Sequence, residues 1–302
     1  MLTKGKWAKG VVHWREGDAA YLSVVFTWDL PKARRIAEYY RQIGCRVIAG
    51  GPAFTTRPTY LDGLALVPIK RVLRDGRWID VPGDLDDAIA RHNPMATFAS
   101  RGCPLNCAFC IVPRLEGRQQ IAFPDFIVRP VLCDNNLSAL PADFQRHIVA
   151  RYMAAGVPLL DANSGFEPHT FDDEVLARWK PIMRGPWRFG FDDATEGEAV
   201  RRVFDMLRDV SPRKKQVYTM IGREPFAVCM DRIQKVIGWK GEPFAQPFIP
   251  LNALEKKPKV AFDWTEQKLA DVARWVNGHV WRKIPNFADY DRRIDNRRRA
   301  AA

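Results

Sequence analysis

The sequence predicts an α/β protein: a partial (β/α)6 barrel preceded by a small βαβ section. Three observations carry this expectation. Short apolar strand candidates alternate with amphipathic helix candidates through 94–290, the rhythm of a parallel sheet with helices outside it. An earlier strand–helix–strand unit closes at Gly50-Gly51-Pro52. The 302 residues suffice for about six βα units after such a section but not for a complete eight-fold barrel. A doubly wound sheet is the structural alternative.

The first section spans 1–93 and begins with a buried strand at 21–26. Pro31 opens a helix over 32–41, at the position where a missing N–H costs nothing. Gly44 ends that helix, and the next strand follows at 45–49, through a right-handed crossover. The rest of the section is turn-rich, with short strands expected at 65–69 and 77–81. In the second section, 94–290, strands are expected at 96–99, 126–132, 157–160, 187–191, 216–221 and 244–248. Helices are expected at 142–155, 171–180, 196–210, 225–238 and 266–277. Residues 291–302 form a basic tail with Arg297, Arg298 and Arg299.

With 47% apolar and 27% charged residues, wholesale disorder, collagen-like repeats and a disulfide-dense miniature are excluded. Lys+Arg is 47 against Asp+Glu 35, a net +12, which favours polyanionic partners, nucleic acid among them. No nucleic-acid-binding module accompanies the charge, and aromatics are sparse near the tail. The first ten residues carry lysines without a following apolar core, so no secretory signal is expected. The apolar stretch 21–28 is too short to span a bilayer. The expectation is a cytoplasmic protein without a membrane partner, in which clustered cysteines bind metal rather than form disulfides.

The cysteines are Cys45, Cys103, Cys107, Cys110, Cys133 and Cys229. Three share the stretch Ser100-Arg101-Gly102-Cys103-Pro104-Leu105-Asn106-Cys107-Ala108-Phe109-Cys110, directly after the first strand of the repeating section. Three thiolates on one tight loop can bind three irons of a cubane cluster and leave the fourth iron open. Structural metal sites are instead closed by four protein ligands. Zinc, with a histidine or Cys133 as fourth ligand, is therefore the competing reading, although Cys133 also suits a packed core thiol. His13, His92, His147, His169 and His279 show no metal-ligand spacing.

Cys103, Cys107 and Cys110, with Phe109 before the last cysteine, resemble the hallmark motif of the radical S-adenosylmethionine superfamily, over roughly 93–290. The resemblance implies a TIM-like partial barrel and an enzyme, an oxidoreductase or transferase of unassigned substrate. Its cofactors would be one [4Fe-4S] cluster and S-adenosylmethionine, whose amino and carboxylate groups chelate the open iron. One electron would then cleave the sulfonium to a 5′-deoxyadenosyl radical that abstracts hydrogen from substrate. An electron donor such as flavodoxin or ferredoxin is implied.

Site residues follow from the same resemblance. Phe109 would lie near the adenine. Where relatives often carry Gly-Gly-Glu, this chain has Asp134, Asn135 and Asn136. These three resemble the acidic-polar variant of some relatives, in which Asp134 would pair with the methionine ammonium, the alternative being an Asx-rich turn capping a helix. Asn163 and Ser164 would donate to the carboxylate, and Asp161 or Glu167 would meet substrate or a proton. Asp192 would reach the ribose, while Asp193 and Thr195 suit helix caps. Gly222 would let the backbone pass beside the adenine, with Arg223 next to it. Residues 246–251 would border the substrate mouth, and Trp264, Trp275 and Trp281 would anchor the last helix. No second cysteine group suggests a further cluster.

The first section resembles a degenerate Rossmann-like domain of the kind that precedes many cobalamin-dependent relatives. It lacks their Asp-x-His-x-x-Gly signature, since His13 is followed by Trp14-Arg15-Glu16, so no cobalamin is expected. The competing class is a nucleic-acid-binding protein whose metal site is structural.

Overall fold

A computed structural model of the chain describes residues 3–74, 77–83, 85 and 88–293. The basic tail expected at 291–302 lies outside the described residues from position 294 onward. The chain divides into two compact units, Met1–Pro186 with Pro250–Lys257, and Trp187–Ile249 with Pro258–Ala302.

The first unit opens with β1 (Val12–Glu16), β2 (Ala19–Ser23), α1 (Leu30–Gln42) and β3 (Arg46–Gly50). β2 pairs antiparallel with β1 and parallel with β3. On α1, Leu30, Ala33 and Ala37 recur at helical spacing and bury against Leu22, Val24, Val47 and Ala49. The βαβ unit is therefore where the sequence places it. β1 is an addition: an edge strand with His13, Arg15 and Glu16 exposed, whose polarity hides it from a search for apolar runs. α2 (Ala53–Thr56) follows, then the antiparallel hairpin of β4 (Ile69–Arg74) and β5 (Arg77–Pro82). Of the strand expected at 65–69, Leu66 forms an isolated parallel bridge with Ile48 of β3, and Ile69 instead begins β4, whose register its pairing with β5 sets.

After α3 (Ala88–His92) come β6 (Ala96–Thr97), β7 (Ser100–Arg101), α4 (Val112–Leu115), β8 (Ile121–Ala122) and β9 (Val131–Leu132). α5 (Ala142–Ala155), β10 (Asp161–Ala162) and α6 (Asp173–Trp179) complete the unit's elements. The order β10-β9-β6 makes a parallel three-stranded sheet. Its ladders are shorter than the apolar runs suggest. Pro130 has no N–H to give, so the strand expected at 126–132 pairs only at Val131–Leu132. The strand expected at 157–160 shifts to Asp161–Ala162, and Leu159 instead forms an isolated bridge with Met183. α5 buries Ile148, Val149 and Tyr152 and stops at Gly156.

The second unit contains β11 (Trp187–Gly190), α7 (Gly197–Met206), β12 (Lys215–Ile221), α8 (Phe226–Gly238), β13 (Glu242–Pro247) and α9 (Glu266–Asn277). Its sheet is parallel, in the order β11-β12-β13. Alternate residues of β12 bury: Val217 packs with Phe191, Val200, Phe204 and Val236, and Ile221 with Ile233, Leu269 and Trp275. The expected anchors Trp264 and Trp275 are 3% and 0% exposed. Their indole N–H groups donate to the carbonyls of Glu224 and Ile284, each at 2.8 Å.

Both parallel sheets keep their strands in chain order with helices between, as successive βα units require. Among the described residues, neither sheet closes into a barrel. No helix among them is long and apolar enough to cross a membrane.

Candidate metal centre

The three clustered cysteines sit on an excursion between β7 and β8, which pair antiparallel through Ser100–Ala122 and Arg101–Ile121. A two-residue ladder is a weak clamp on its own, and two buried carboxylates reinforce it. Asp134, after β9, is 1% exposed. It accepts from the Ala99 N–H at 2.8 Å and from the Ser100 hydroxyl. Burial drives its carboxyl up to about 6, against the opposing pull of those donors and of Arg101.

Glu116, just after α4, is the second clamp, at 8% exposed. It accepts from the Gly102 N–H at 2.7 Å and from Asn135 Nδ2 at 2.7 Å. Its other oxygen pairs with Arg101 Nη2 at 2.9 Å. Gly102 turns the chain with φ +89°, and a Cβ there would lie 2.1 Å from the Gln119 carbonyl oxygen. Only glycine permits both the turn and that close approach.

From this base the loop folds on itself. The Cys103 N–H donates to Gly117 O at 3.4 Å, and Cys110 N–H to Cys107 O at 3.0 Å. Arg118 donates to Pro104 O at 3.1 and 3.0 Å. The Val112 N–H points at Cys110 Sγ, 3.4 Å away. None of the six cysteines forms a disulfide, and Cys103, Cys107 and Cys110 are half-buried. Burial pushes the Cys103 thiol up, while the Leu105 N–H and the Asn136 side chain pull it down and Glu167 and Glu116 push it up again. A bound cation would act in the opposite sense and favour the thiolate. Cys133 is 6% exposed and packs with Ala96 and Val131, the surroundings of a core thiol.

The structure brings several expected site residues to this loop. Asn136 reaches Cys103 and also accepts from the Ala139 N–H at 3.2 Å, so it caps a turn as well. Asn135 donates to Gly102 O at 3.3 Å as well as to Glu116. Phe109 is half-buried on the loop itself. Asn163 follows β10, the neighbour of β9, and its N–H donates to Leu132 O at 2.8 Å; Ser164 beside it is exposed. Asp161 is 6% exposed and pairs with Lys4 at 3.5 Å. Glu167 donates its N–H to Ser138 Oγ at 2.8 Å.

Asp192 and Gly222 belong to the second unit, at the ends of β11 and β12. Asp192 accepts from the Met220 N–H at 2.8 Å. Burial, opposed by that bond, raises its carboxyl to about 6. Gly222 has φ +91°, and a Cβ would meet Leu269 at 3.1 Å. Beside them lies Arg232, 1% exposed. Its guanidinium donates to the Phe191 carbonyl, to Glu224 and, at 3.0 Å, to Met220 O. Asp193 is the helix cap the sequence suggests, accepting from the Thr195 N–H at 2.9 Å.

Sequence reasoning missed Ser100, Glu116 and Arg232. Their roles depend on what faces them across the fold, and no spacing rule marks them. Among the described residues, no three His, Cys, Asp or Glu side chains converge as the ligands of a single metal ion. Thiolates bound to separate irons of a cubane stand farther apart than the ligands of one tetrahedral ion. The donor set on the loop, three half-buried cysteines outside any disulfide, suits the cubane. No protein-family model matches the chain, and no curated protein matches it.

Proposed function

We propose that the chain is a radical S-adenosylmethionine enzyme with one [4Fe-4S] cluster held by Cys103, Cys107 and Cys110. The observation that carries the reading is the Cys-x3-Cys-x2-Cys loop, with its cysteines outside any disulfide and half-buried on a base clamped by Asp134 and Glu116. When bound, the cluster supplies the electron for reductive cleavage of S-adenosylmethionine, and the 5′-deoxyadenosyl radical so formed takes hydrogen from a substrate.

The chain's own residues set the geometry. Asp134 and Glu116 fix the chain on either side of β7, where the loop begins. The Val112 N–H and the Asn136 side chain donate to cysteine sulfurs, which moderates charge on thiolates. Asn163 and Ser164, at the end of the neighbouring strand, supply donors for a cofactor carboxylate. Asp134 is the residue whose role differs most between the two readings of its position. Its oxygens already hold Ala99 and Ser100, so we assign it to loop positioning and leave the ammonium contact to carbonyl and amide oxygens nearby.

The test is anaerobic reconstitution with iron and sulfide, followed by dithionite and S-adenosylmethionine. The expected result is roughly four irons per chain and 5′-deoxyadenosine as product. In the triple Cys→Ala variant both should vanish. A stoichiometric zinc site with no cofactor cleavage would replace this reading with that of a structural metal site.

A further inference from the structure

A second surface in the first unit, independent of the cysteine loop, sets an exposed phenylalanine ring on a half-buried indole beside lysines. Beyond β2 the chain runs Val24-Val25-Phe26-Thr27-Trp28. Phe26 stacks on Trp28 with ring centroids 4.4 Å apart and planes 9° from parallel, yet Phe26 remains 49% exposed. Between them, buried Thr27 donates to the carbonyls of Leu251 and Ala253 at 3.2 and 2.5 Å. Thr56 donates to Leu251 O at 3.1 Å, and Arg57 to Asn252 O at 2.9 Å. These bonds fix Pro250–Lys257 over the β2–α1 turn and carry Lys256 Nζ to 5.9 Å from the Trp28 ring. Lys32, exposed in the first turn of α1, acts with Lys256 on the carboxyl of Asp29. Lys257 pairs with Glu255 at 2.7 Å.

We propose that Phe26, Trp28, Lys32 and Lys256 form a platform for single-stranded nucleic acid, with a base stacked on the exposed face of Phe26 and the two ammonium groups taking its flanking phosphates. A flat, rigidly held ring pair matches the planar face that every base presents, and stacking of this kind is tolerant of sequence. Clustered lysines supply the phosphate attraction. The chain's net +12 favours a polyanion over the acidic or neutral faces of most proteins. This surface uses none of the residues of the proposed cluster site.

The experiment measures fluorescence anisotropy of labelled oligothymidylate and oligouridylate, about twelve nucleotides long, with the full-length, cluster-free chain. An abasic strand of equal length and charge serves as the third ligand. The expected result is that the base-bearing strands bind about tenfold or more tightly than the abasic one. Phe26→Ala should weaken them about 5- to 150-fold while leaving the abasic strand unchanged, and Phe26→Trp should retain binding. Lys32→Ala with Lys256→Ala should reduce the salt slope by about 1.4, from two lost phosphate contacts. Binding of thymidylate but not uridylate, or the reverse, supports the platform and names its ligand. Equal affinity for the abasic strand overturns the proposal. So does a Phe26→Ala variant that binds as the parent does, or binding lost only on replacement of Arg297, Arg298 and Arg299 by alanine. The triple Cys→Ala chain should bind as the parent does, which separates this outcome from failure of the proposed enzyme.

Discussion

Glu116 offers the sharpest test of how the cysteine loop is held. Glu116→Ala removes a carboxylate that is 8% exposed and takes three donors: the Gly102 N–H at 2.7 Å, Asn135 Nδ2 at 2.7 Å and Arg101 Nη2 at 2.9 Å. The Arg101 side chain is 19% exposed, so loss of its carboxylate partner leaves a largely desolvated guanidinium. Breaking such a pair costs about 3–5 kcal/mol. The two lost hydrogen bonds belong to the same network, so their penalties, about 1–3 kcal/mol each in isolation, do not simply add to it. An expected loss of about 3–5 kcal/mol falls first on the loop, which can open without the rest of the unit. Hydrogen exchange at the Gly102 amide reports this opening directly, and a 3 kcal/mol loss corresponds to acceleration of about 150-fold. Urea unfolding followed by tryptophan fluorescence reports any global share. Glu116→Gln keeps one acceptor and loses the charge, so its effect should be smaller. Adding Arg101→Met to Glu116→Ala should recover part of the loss, because the arginine that has lost its Glu116 ion pair, and that also faces Asp134 and the Phe98 ring, is then replaced. Gly102 exchange within fivefold of the parent in Glu116→Ala, with unchanged unfolding, would refute the clamp.

Asp134 should make stability depend on pH. Its folded value of about 6 lies above the ordinary 3.8, so the native state holds the proton more tightly than the unfolded chain. Its stabilising contribution is therefore complete below about pH 3.8 and lost as pH rises through 6, by about 3 kcal/mol. Urea unfolding from pH 4 to 8 should show the gap between Asp134→Asn and the parent shifting by about 2.4 kcal/mol in favour of the variant, since pH 4 already lies above the unfolded value, and parallel curves would exclude it. In the second unit, Arg232→Met removes donors from two strand-end carbonyls and the partner of Glu224. It should cost about 3 kcal/mol; Arg232→Lys should not restore it, since an ammonium lacks the guanidinium fork. Thermal unfolding of both variants at the parent's temperature would count against that role.

Regular elements were legible where burial is periodic. The helices at 142–155 and 266–277 stand at their expected bounds, because long amphipathic patterns average over local exceptions. β12 starts one residue before its expected bound, since Val217 and Ile221 alternate with less buried neighbours. Short strands were less legible. An apolar run such as 126–132 shows that residues are buried, but Pro130 decides how many of them can join a ladder. β1 escaped notice for the opposite reason: an edge strand needs no apolar alternation on its exposed face. The stacking platform was missed too, because Lys256 stands far from Trp28 in sequence and reaches it only through the bonds of Thr27, Thr56 and Arg57.

The candidate metal centre divides the same way. The cysteine spacing is a local pattern and was readable, whereas the groups that shape the loop are related by separation in space. Asp134 and Glu116 illustrate why. As letters they are two acids near a cysteine motif, and the one next to two asparagines invites a ligand-binding role. In the fold both are nearly buried, and both accept from backbone N–H groups just before the first cysteine: Asp134 from Ala99, Glu116 from Gly102. A buried carboxylate is tolerated only where donors surround it, so each of these acids reports a fixed backbone position. Together they pin the chain on both sides of the β7 ladder, and this leaves the sulfur-bearing residues from 103 to 110 as the half-exposed part of the loop. A loop rigid at its base and accessible at its thiols suits a three-cysteine cluster site, and in this chain the base is held by two acids whose oxygens accept from Ala99, Ser100, Gly102 and Asn135.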